Sequence, residues 1–539
     1  MNALLEQLKR YRYWIAPLIG ALSALGFAPY HLWPVTIAAL ALLIHLLSAM
    51  PTRKSAFILG WLFGVGHFTI GNDWIAIAFT YQATMPVWLG YIAVFALALY
   101  LAVFPALACI AAWSCGDYVR KKGGNPTICF VLSFSAFWIL TEWLRSWLFT
   151  GFAWNPLSAA MLGTSGEYAM RTIGSYGLSG LVILGSAMIW GLIASMLNAN
   201  GKAIFARLLD LVLLAIVTGF FGWIGAGHRI AQKGAGTPIT ITQPNISQAE
   251  KYEPGYDAIN FARLAQYSRP LKGQGPRLLL WPEAAIPDYL ESGYPYRFYQ
   301  GQPGDSAVGA RQRLTQLMGE GDILITGGAK LVVDEEGQLI AARNSMITLN
   351  DAGDVIGSYD KSHLVPYGEY LPMSWLLTPL GLARLVPGDL DFWPGPGPQT
   401  LKLGPGRPNV GFQICYEIIF SGQVVDRANR PDFIFNSSND AWFGPSGPPQ
   451  HLAQARMRAI EEGLPVIRAT PTGISAIIDS NGRILKSLPL GSAGRIDGTL
   501  PAADSPTIFA RYGNVMPVCL ALFMLIFAFL PVVSARKSR

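Results

Sequence analysis

The sequence predicts two kinds of structure in one chain: an α-helical membrane domain of eight transmembrane helices and a layered α/β domain. The chain is 52% hydrophobic and only 14% charged, its mean hydropathy is +0.34, and its apolar residues gather in runs of near-spanning length. Those two observations predict the membrane part. The third is a long polar stretch, 234–507, in which short β-rich runs alternate with Gly/Pro-rich loops; it predicts the α/β part. The net charge of +7 is scattered over loop ends, with no Lys/Arg tract dense enough for a nucleic-acid surface, so no nucleic-acid partner is expected.

Seven apolar runs precede the polar stretch: Tyr13 to Phe27, Trp33 to Met50, Ala56 to Ile70, Val87 to Ile110, Ile128 to Trp147, Gly177 to Leu197 and Leu208 to Ile224. An eighth, Val515 to Val533, follows it. The first run is flanked directly by further spans and reads as an anchor, not a cleaved signal. Every second loop is basic: Lys9, Arg10 and Arg12; Arg53 and Lys54; Arg120, Lys121 and Lys122; Lys202 and Arg207; Arg536, Lys537 and Arg539. By the positive-inside rule both termini are cytoplasmic and the polar stretch lies on the other side, the periplasm of a bacterial inner membrane. The chain then divides into seven spans (1–230), an outer domain (231–508), and an eighth span with a cytoplasmic tail (509–539).

Within the outer domain the strand candidates are Pro238 to Thr242, Arg277 to Trp281, Ile323 to Thr326, Ser345 to Leu349, Val355 to Tyr359, Asn409 to Ile414 and Phe433 to Asn436. Runs such as Leu278-Leu-Leu-Trp281 are apolar throughout, as strands covered on both faces must be. Gln450 to Glu462 reads as a helix with Leu452, Ala455, Met457 and Ile460 turned inward. About 270 residues suffice for a real core.

Three of these strands end in chemistry. Leu278-Leu-Leu-Trp-Pro-Glu283 ends in a carboxylate, Val355-Ile-Gly-Ser-Tyr-Asp-Lys361 in an amine, and Asn409-Val-Gly-Phe-Gln-Ile-Cys415 in a thiol. Strand ends are where open α/β sheets place their sites. Cys415 is the one cysteine of the polar stretch; Cys109, Cys115, Cys129 and Cys519 lie in or beside apolar runs. It therefore has no disulfide partner there, and reads either as a buried structural thiol or as a nucleophile. A nucleophile needs a base and a nearby cation. Glu283, in an apolar surround, is expected to serve as the base, and Lys361 to steady the thiolate and the oxyanion of a tetrahedral intermediate.

The order Trp-Pro-Glu283, then Asp-Lys361 followed by His-Leu-Val-Pro-Tyr-Gly-Glu369, then Ile-Cys415-Tyr-Glu resembles the Glu–Lys–Cys triad of the nitrilase superfamily. With eight spans around it, the chain is similar within that superfamily to the apolipoprotein N-acyltransferases of the bacterial inner membrane. Gln243-Pro-Asn245, Asn436-Ser-Ser-Asn-Asp-Ala-Trp442-Phe and Thr472-Gly-Ile-Ser-Ala476 extend the likeness. The resemblance implies a nitrilase-like α-β-β-α sandwich and a ping-pong reaction without a cofactor. Cys415 would take an acyl chain from a phospholipid, typically phosphatidylethanolamine, and pass it to the α-amine of the S-diacylglyceryl cysteine of an apolipoprotein. It also implies supporting roles for Glu369, Tyr416 and Glu417, and a substrate contact at Tyr252, where the family usually carries an aromatic residue.

The run Tyr370 to Ala383 is unusually apolar for a loop outside the membrane; it reads as a packed helix or as a lid whose Trp375, Leu376 and Leu377 dip into lipid. Glu142 and Arg145 at the end of the fifth span, and Asp73, are ionisable residues at membrane depth, either functional or structural. The six histidines, His31, His45, His67, His228, His363 and His451, show no metal-ligand spacing, so no metal is expected. A membrane-tethered amidase using the same three residues is the closest rival reading, though a small soluble amide would need neither the spans nor the apolar loop. A transporter with an inert outer domain would need paired intramembrane charges, a pattern these spans lack.

Overall fold

The computed structural model describes residues 7–81, 86–225, 236–251, 255–380 and 391–537. Two compact units divide the chain: Met1–Ala76, Val87–Ala226 and Pro506–Arg539 form one, Ile77–Pro86 and Gly227–Ser505 the other.

The first unit is helical. Its principal helices are Arg12–Ser23, Trp33–Ser48, Arg53–Gly71, Trp88–Leu101, Val103–Lys121, Pro126–Arg145, Met170–Leu197, Gly201–Ile224 and Val515–Lys537. Among the described residues, four helical stretches are long and apolar enough to cross a membrane: Trp88–Lys121, Pro126–Arg145, Ser165–Leu197 and Gly201–Ile224. Trp33–Ser48 and Val515–Leu530 are apolar and shorter. Polar caps start several of them, as at Thr52, whose hydroxyl accepts from Ser55 N at 3.1 Å while Ser55 Oγ accepts from Thr52 N at 3.0 Å. With no water to expel between helices in lipid, close backbone contact must bind them, and small residues allow it. A Cβ on Gly66 would stand 1.9 Å from the Pro17 carbonyl oxygen, so Arg12–Ser23 and Arg53–Gly71 touch main chain to main chain. Gly201–Ile224 has no buried residue, and Phe205, Leu213, Ile216 and Trp223 are exposed on it, a surface suited to lipid.

The second unit is built on two six-stranded sheets. The first runs β12-β1-β2-β3-β4-β5, from β1 (Pro238–Gln243), β2 (Leu278–Leu280), β3 (Ile323–Val333), β4 (Leu339–Asn350), β5 (Val355–Asp360) and β12 (Gly494–Thr499). The second runs β11-β10-β9-β8-β7-β6, from β6 (Thr400–Lys402), β7 (Asn409–Ile414), β8 (Phe433–Ser437), β9 (Val466–Ala469), β10 (Ala476–Ile478) and β11 (Ile484–Ser487). The parallel strands, β1-β2-β3 and β7-β8-β9, are buried along most of their length, because both their faces are covered. The sheets face each other; the Tyr359 ring stacks on Phe412 at 5.6 Å between them.

Helices cover the outer faces. Leu264 of Asp257–Ser268 and Ala310 and Leu314 of Ala307–Thr315 close over Leu279, Trp281, Leu324 and Ile347. Each such large side chain removed from water contributes about 1.5–3 kcal/mol. Gly447–Glu462 packs on β9 of the other sheet, and its predicted stripe, Leu452, Ala455, Met457 and Ile460, is buried. The layers are therefore helix, sheet, sheet, helix.

Candidate active site

Glu283 follows β2 in a turn folded back against β3. Trp281 N donates to Ile325 O at 2.9 Å and Ala285 N to Gly327 O at 3.0 Å. Position 327 must be glycine: a Cβ there would stand 2.4 Å from Ala284 N and 2.8 Å from Glu283 Cα. The Glu283 carboxylate is held at both oxygens. Asn344 Nδ2 donates to Oε1 at 2.7 Å, and the Asn439 amide to Oε2 at 2.7 Å.

Lys361 follows β5 and is buried, 1% exposed. Its Nζ lies 2.9 Å from Glu369 Oε1 and 3.7 Å from Glu283 Oε1. Burial opposes its charge, but the carboxylates of Glu369 and Glu283, with Cys415, outweigh burial and hold its pKa above the ordinary lysine range. Asn344 bridges the two carboxylates, since its Nδ2 also reaches Glu369 Oε1 at 3.1 Å.

Cys415 begins a 3₁₀ turn, Cys415–Ile419, directly after β7. Its φ of 52° is left-handed, uncommon for a residue with a Cβ and costing about 1–3 kcal/mol that the surrounding fold must supply. The thiol is within electrostatic range of Glu283 and Lys361 and hydrogen-bonds with Ser438. Burial, then the Glu283 charge, push it well above the usual thiol range; Lys361 pulls the other way. Burial and the Glu283 charge thus favour the neutral thiol, and a thiol near a carboxylate can give up its proton in the act of attack.

Glu417 binds main chain instead of the ammonium. Its Oε1 accepts from Tyr359 Oη at 2.8 Å, Ser362 N at 2.7 Å, Ser362 Oγ at 2.7 Å and His363 N at 3.1 Å, and its Oε2 from Ile414 N at 2.7 Å. It thus clasps the loop after Lys361 to the strand before Cys415. Burial raises its pKa, against the pull of these hydrogen bonds. Tyr416 is buried with its ring 5.2 Å from Phe420 and 5.8 Å from His363. Among the described residues no cluster of His, Cys, Asp or Glu could hold a metal ion.

Comparison with known proteins shows the family. The model of the apolipoprotein N-acyltransferase N-terminal domain matches residues 19–188, and that of the carbon-nitrogen hydrolases matches residues 241–505. An apolipoprotein N-acyltransferase of Rhodopseudomonas palustris is 34% identical, covering 95% of this chain and 94% of its own. The chain belongs to the apolipoprotein N-acyltransferase family. Members from Bradyrhizobium diazoefficiens and Caulobacter vibrioides are 34% and 32% identical, each over 95% of this chain and 94% of their own length. Among solved structures, an amidase from Nesterenkonia sp. AN1 is 17% identical with a TM-score of 0.32, covering 52% of this chain and 95% of its own.

Trp375 and Leu376 lie on a short helix, Ser374–Leu377, and are exposed, Trp375 by 76%. Leu377 belongs to the same helix; Tyr252 and the end of the Tyr370 to Ala383 run lie outside the described residues. In the helical unit, Glu142 accepts from Leu157 N at 2.8 Å, while Arg145 donates to Trp154 O at 3.0 Å and lies 5.1 Å from the Phe68 ring. Asp73 sits just after Arg53–Gly71, where its carbonyl accepts from Ala76 N at 3.1 Å. Sequence reasoning missed Asn344 and Asn439, the donors that fix Glu283. Asn439 lay inside a motif already noted, so its neighbours were a usable signal; Asn344 lies mid-strand in β4 and gave none.

Proposed function

We propose that this chain is a phospholipid:apolipoprotein N-acyltransferase whose triad is Glu283, Lys361 and Cys415. The observation that carries the reading is the meeting of one ammonium, two carboxylates and one thiol in a family that transfers acyl groups to lipoproteins. In the first half-reaction Glu283 takes the Cys415 proton as sulfur attacks an ester carbonyl of a phospholipid, phosphatidylethanolamine on the family resemblance. Negative charge gathers on the carbonyl oxygen, opposite the Lys361 ammonium. The carbon–oxygen bond breaks, the lysophospholipid leaves with the proton from Glu283, and a thioester remains on Cys415. In the second, the α-amine of an S-diacylglyceryl cysteine attacks that thioester, Glu283 removes the amine proton, and the thiolate leaves and is reprotonated. A thioester suits the exchange because it still acylates an amine.

The eight apolar runs and the alternation of basic loops support an inner-membrane protein with both termini in the cytoplasm and residues 231–508 in the periplasm. Trp375 and Leu376, exposed on an apolar segment, fit contact with lipid. The test is reconstitution in vesicles of phosphatidylethanolamine bearing an isotope-labelled acyl chain, with a diacylated lipopeptide as acceptor. The expected product is the lipopeptide carrying one labelled acyl group on its α-amine. Release of the label only as free fatty acid would instead favour a hydrolase.

A further inference from the structure

Beside Cys415 runs a buried polar chain that the proposed reaction does not use. It starts at Arg468 in β9 and ends at the carbonyl of Cys415. Arg468 Nη2 lies 2.6 Å from Asp440 Oδ2 and 2.8 Å from Oδ1, and Arg468 Nη1 bonds Asn436 Oδ1. Asp440 Oδ1 also accepts from Ser438 Oγ at 2.8 Å and lies 2.9 Å from His451 Nδ1. His451 Nε2 in turn lies 3.0 Å from the Cys415 carbonyl oxygen. Arg468 and His451 are fully buried, and Asp440 nearly so. Gly473 closes over the carboxylate, where a Cβ would stand 2.5 Å from Asp440 Oδ2.

Chemistry fixes one of its hydrogens. A carbonyl oxygen only accepts, so the His451 nitrogen facing it, Nε2, carries a proton. Nδ1 lies between the Asp440 carboxylate oxygen at 2.9 Å and Arg468 Nη2 at 3.1 Å. Burial, and then the Arg468 guanidinium, hold His451 below its ordinary pKa against the pull of Asp440.

We propose that His451 is a positioning residue: its Nε2–H holds the carbonyl of the left-handed Cys415 and so aims the thiol at Glu283. The same chain reaches the base. Asp440, fixed by Arg468, follows Asn439, whose amide donates to Glu283 Oε2 at 2.7 Å. One buried ion pair thus sets the nucleophile through a ring and the base through a peptide bond. A left-handed non-glycine residue needs such an anchor, since its backbone would otherwise relax and carry the sulfur with it.

The inference rests on Cys415 being the nucleophile, and two histidine replacements separate the questions. In His451→Gln the amide nitrogen sits as far along the side chain as Nε2 and can still reach the Cys415 carbonyl; in His451→Asn it reaches only as far as Nδ1. Full-length protein in detergent is treated with iodoacetamide, alkylation is localised to Cys415 by peptide mass spectrometry, and Tm is recorded for each variant. Expected are a rate within about fivefold of wild type for the glutamine variant and a fall of about 10- to 100-fold for the asparagine variant. Equal rates in the two variants at matched Tm would overturn the role of His451. Absence of reaction at Cys415 in the unmodified protein would instead sink the nucleophile itself. Nitrogen-15 NMR of histidine-labelled unmodified protein provides a measurement independent of variant folding: the His451 signals must show a proton on Nε2, and a bare Nε2 contradicts the proposal.

Discussion

Lys361 Nζ is 2.9 Å from Glu369 Oε1, a shorter contact than its 3.7 Å to Glu283 Oε1. The ammonium is therefore tied first to Glu369, which leaves the longer contact to Glu283, the base of the proposed mechanism. Removing the Glu369 charge should draw Lys361 onto Glu283 and quench it as a base. Glu369→Gln is expected to slow thioester formation by about 100-fold or more, the scale of losing a positioned general base. A single-turnover rate near wild type would assign Glu369 to stability alone.

Glu417 gathers donors from three segments, Tyr359, Ser362–His363 and Ile414. Glu417→Gln keeps the shape but turns one acceptor into a donor facing a buried donor, at a cost of about 1–3 kcal/mol. Tm should fall by about 2–10 °C, with thioester formation reduced in parallel. An unchanged Tm would mean that the clasp is not rigid in solution.

The Cys415 pKa is raised by burial and then by the Glu283 charge. Below a thiol's pKa the thiolate fraction grows with pH, so alkylation of Cys415 should keep climbing from pH 7 to pH 10. A plateau below about pH 8, near or under the free-thiol value, would show a thiolate already formed in the resting enzyme.

Replacing Trp375 and Leu376 together with serine removes an exposed apolar pair without touching the cluster around Lys361. Acyl transfer from phospholipid in vesicles should drop about tenfold or more, in line with losing roughly 1.5–3 kcal/mol of apolar contact per large side chain. Transfer from a short-chain, water-soluble ester should stay near wild type. Equal loss on both donors would place the pair in the fold and not at the lipid.

The strand ends were legible because strong signals surround them. Leu278-Leu-Leu-Trp281 and Asn409 to Ile414 are apolar strands with polar punctuation, and β7 ends where the sequence predicted, at Ile414. The hairpin β3–β4 is longer than Ile323 to Thr326 and Ser345 to Leu349 suggested, because Gly327, Gly328 and Asn344 do not look like strand; Gly327 and Asn344 are there for the site. Five strands went unseen: Thr400–Lys402, Val466–Ala469, Ala476–Ile478, Ile484–Ser487 and Gly494–Thr499; the first four have only three or four residues, too short to show a period, and the fifth opens on glycine and carries charge. The fourth span, read as Val87 to Ile110, is built from two helices, Trp88–Leu101 and Val103–Lys121, the second running past Ile110. Least legible was the support of the site. The bond between His451 and Cys415 joins residues 36 apart, and that between Asn439 and Glu283 residues 156 apart; only the folded sheets bring them together.

The most direct measurement is intact-protein mass spectrometry of the full chain mixed with phospholipid and no acceptor. A mass increase of one acyl chain, localised to Cys415, absent in Cys415→Ala and lost when a diacylated lipopeptide is added, is the predicted result. No adduct on the unmodified protein, or an adduct that persists in Cys415→Ala, would contradict acyl transfer through this thiol.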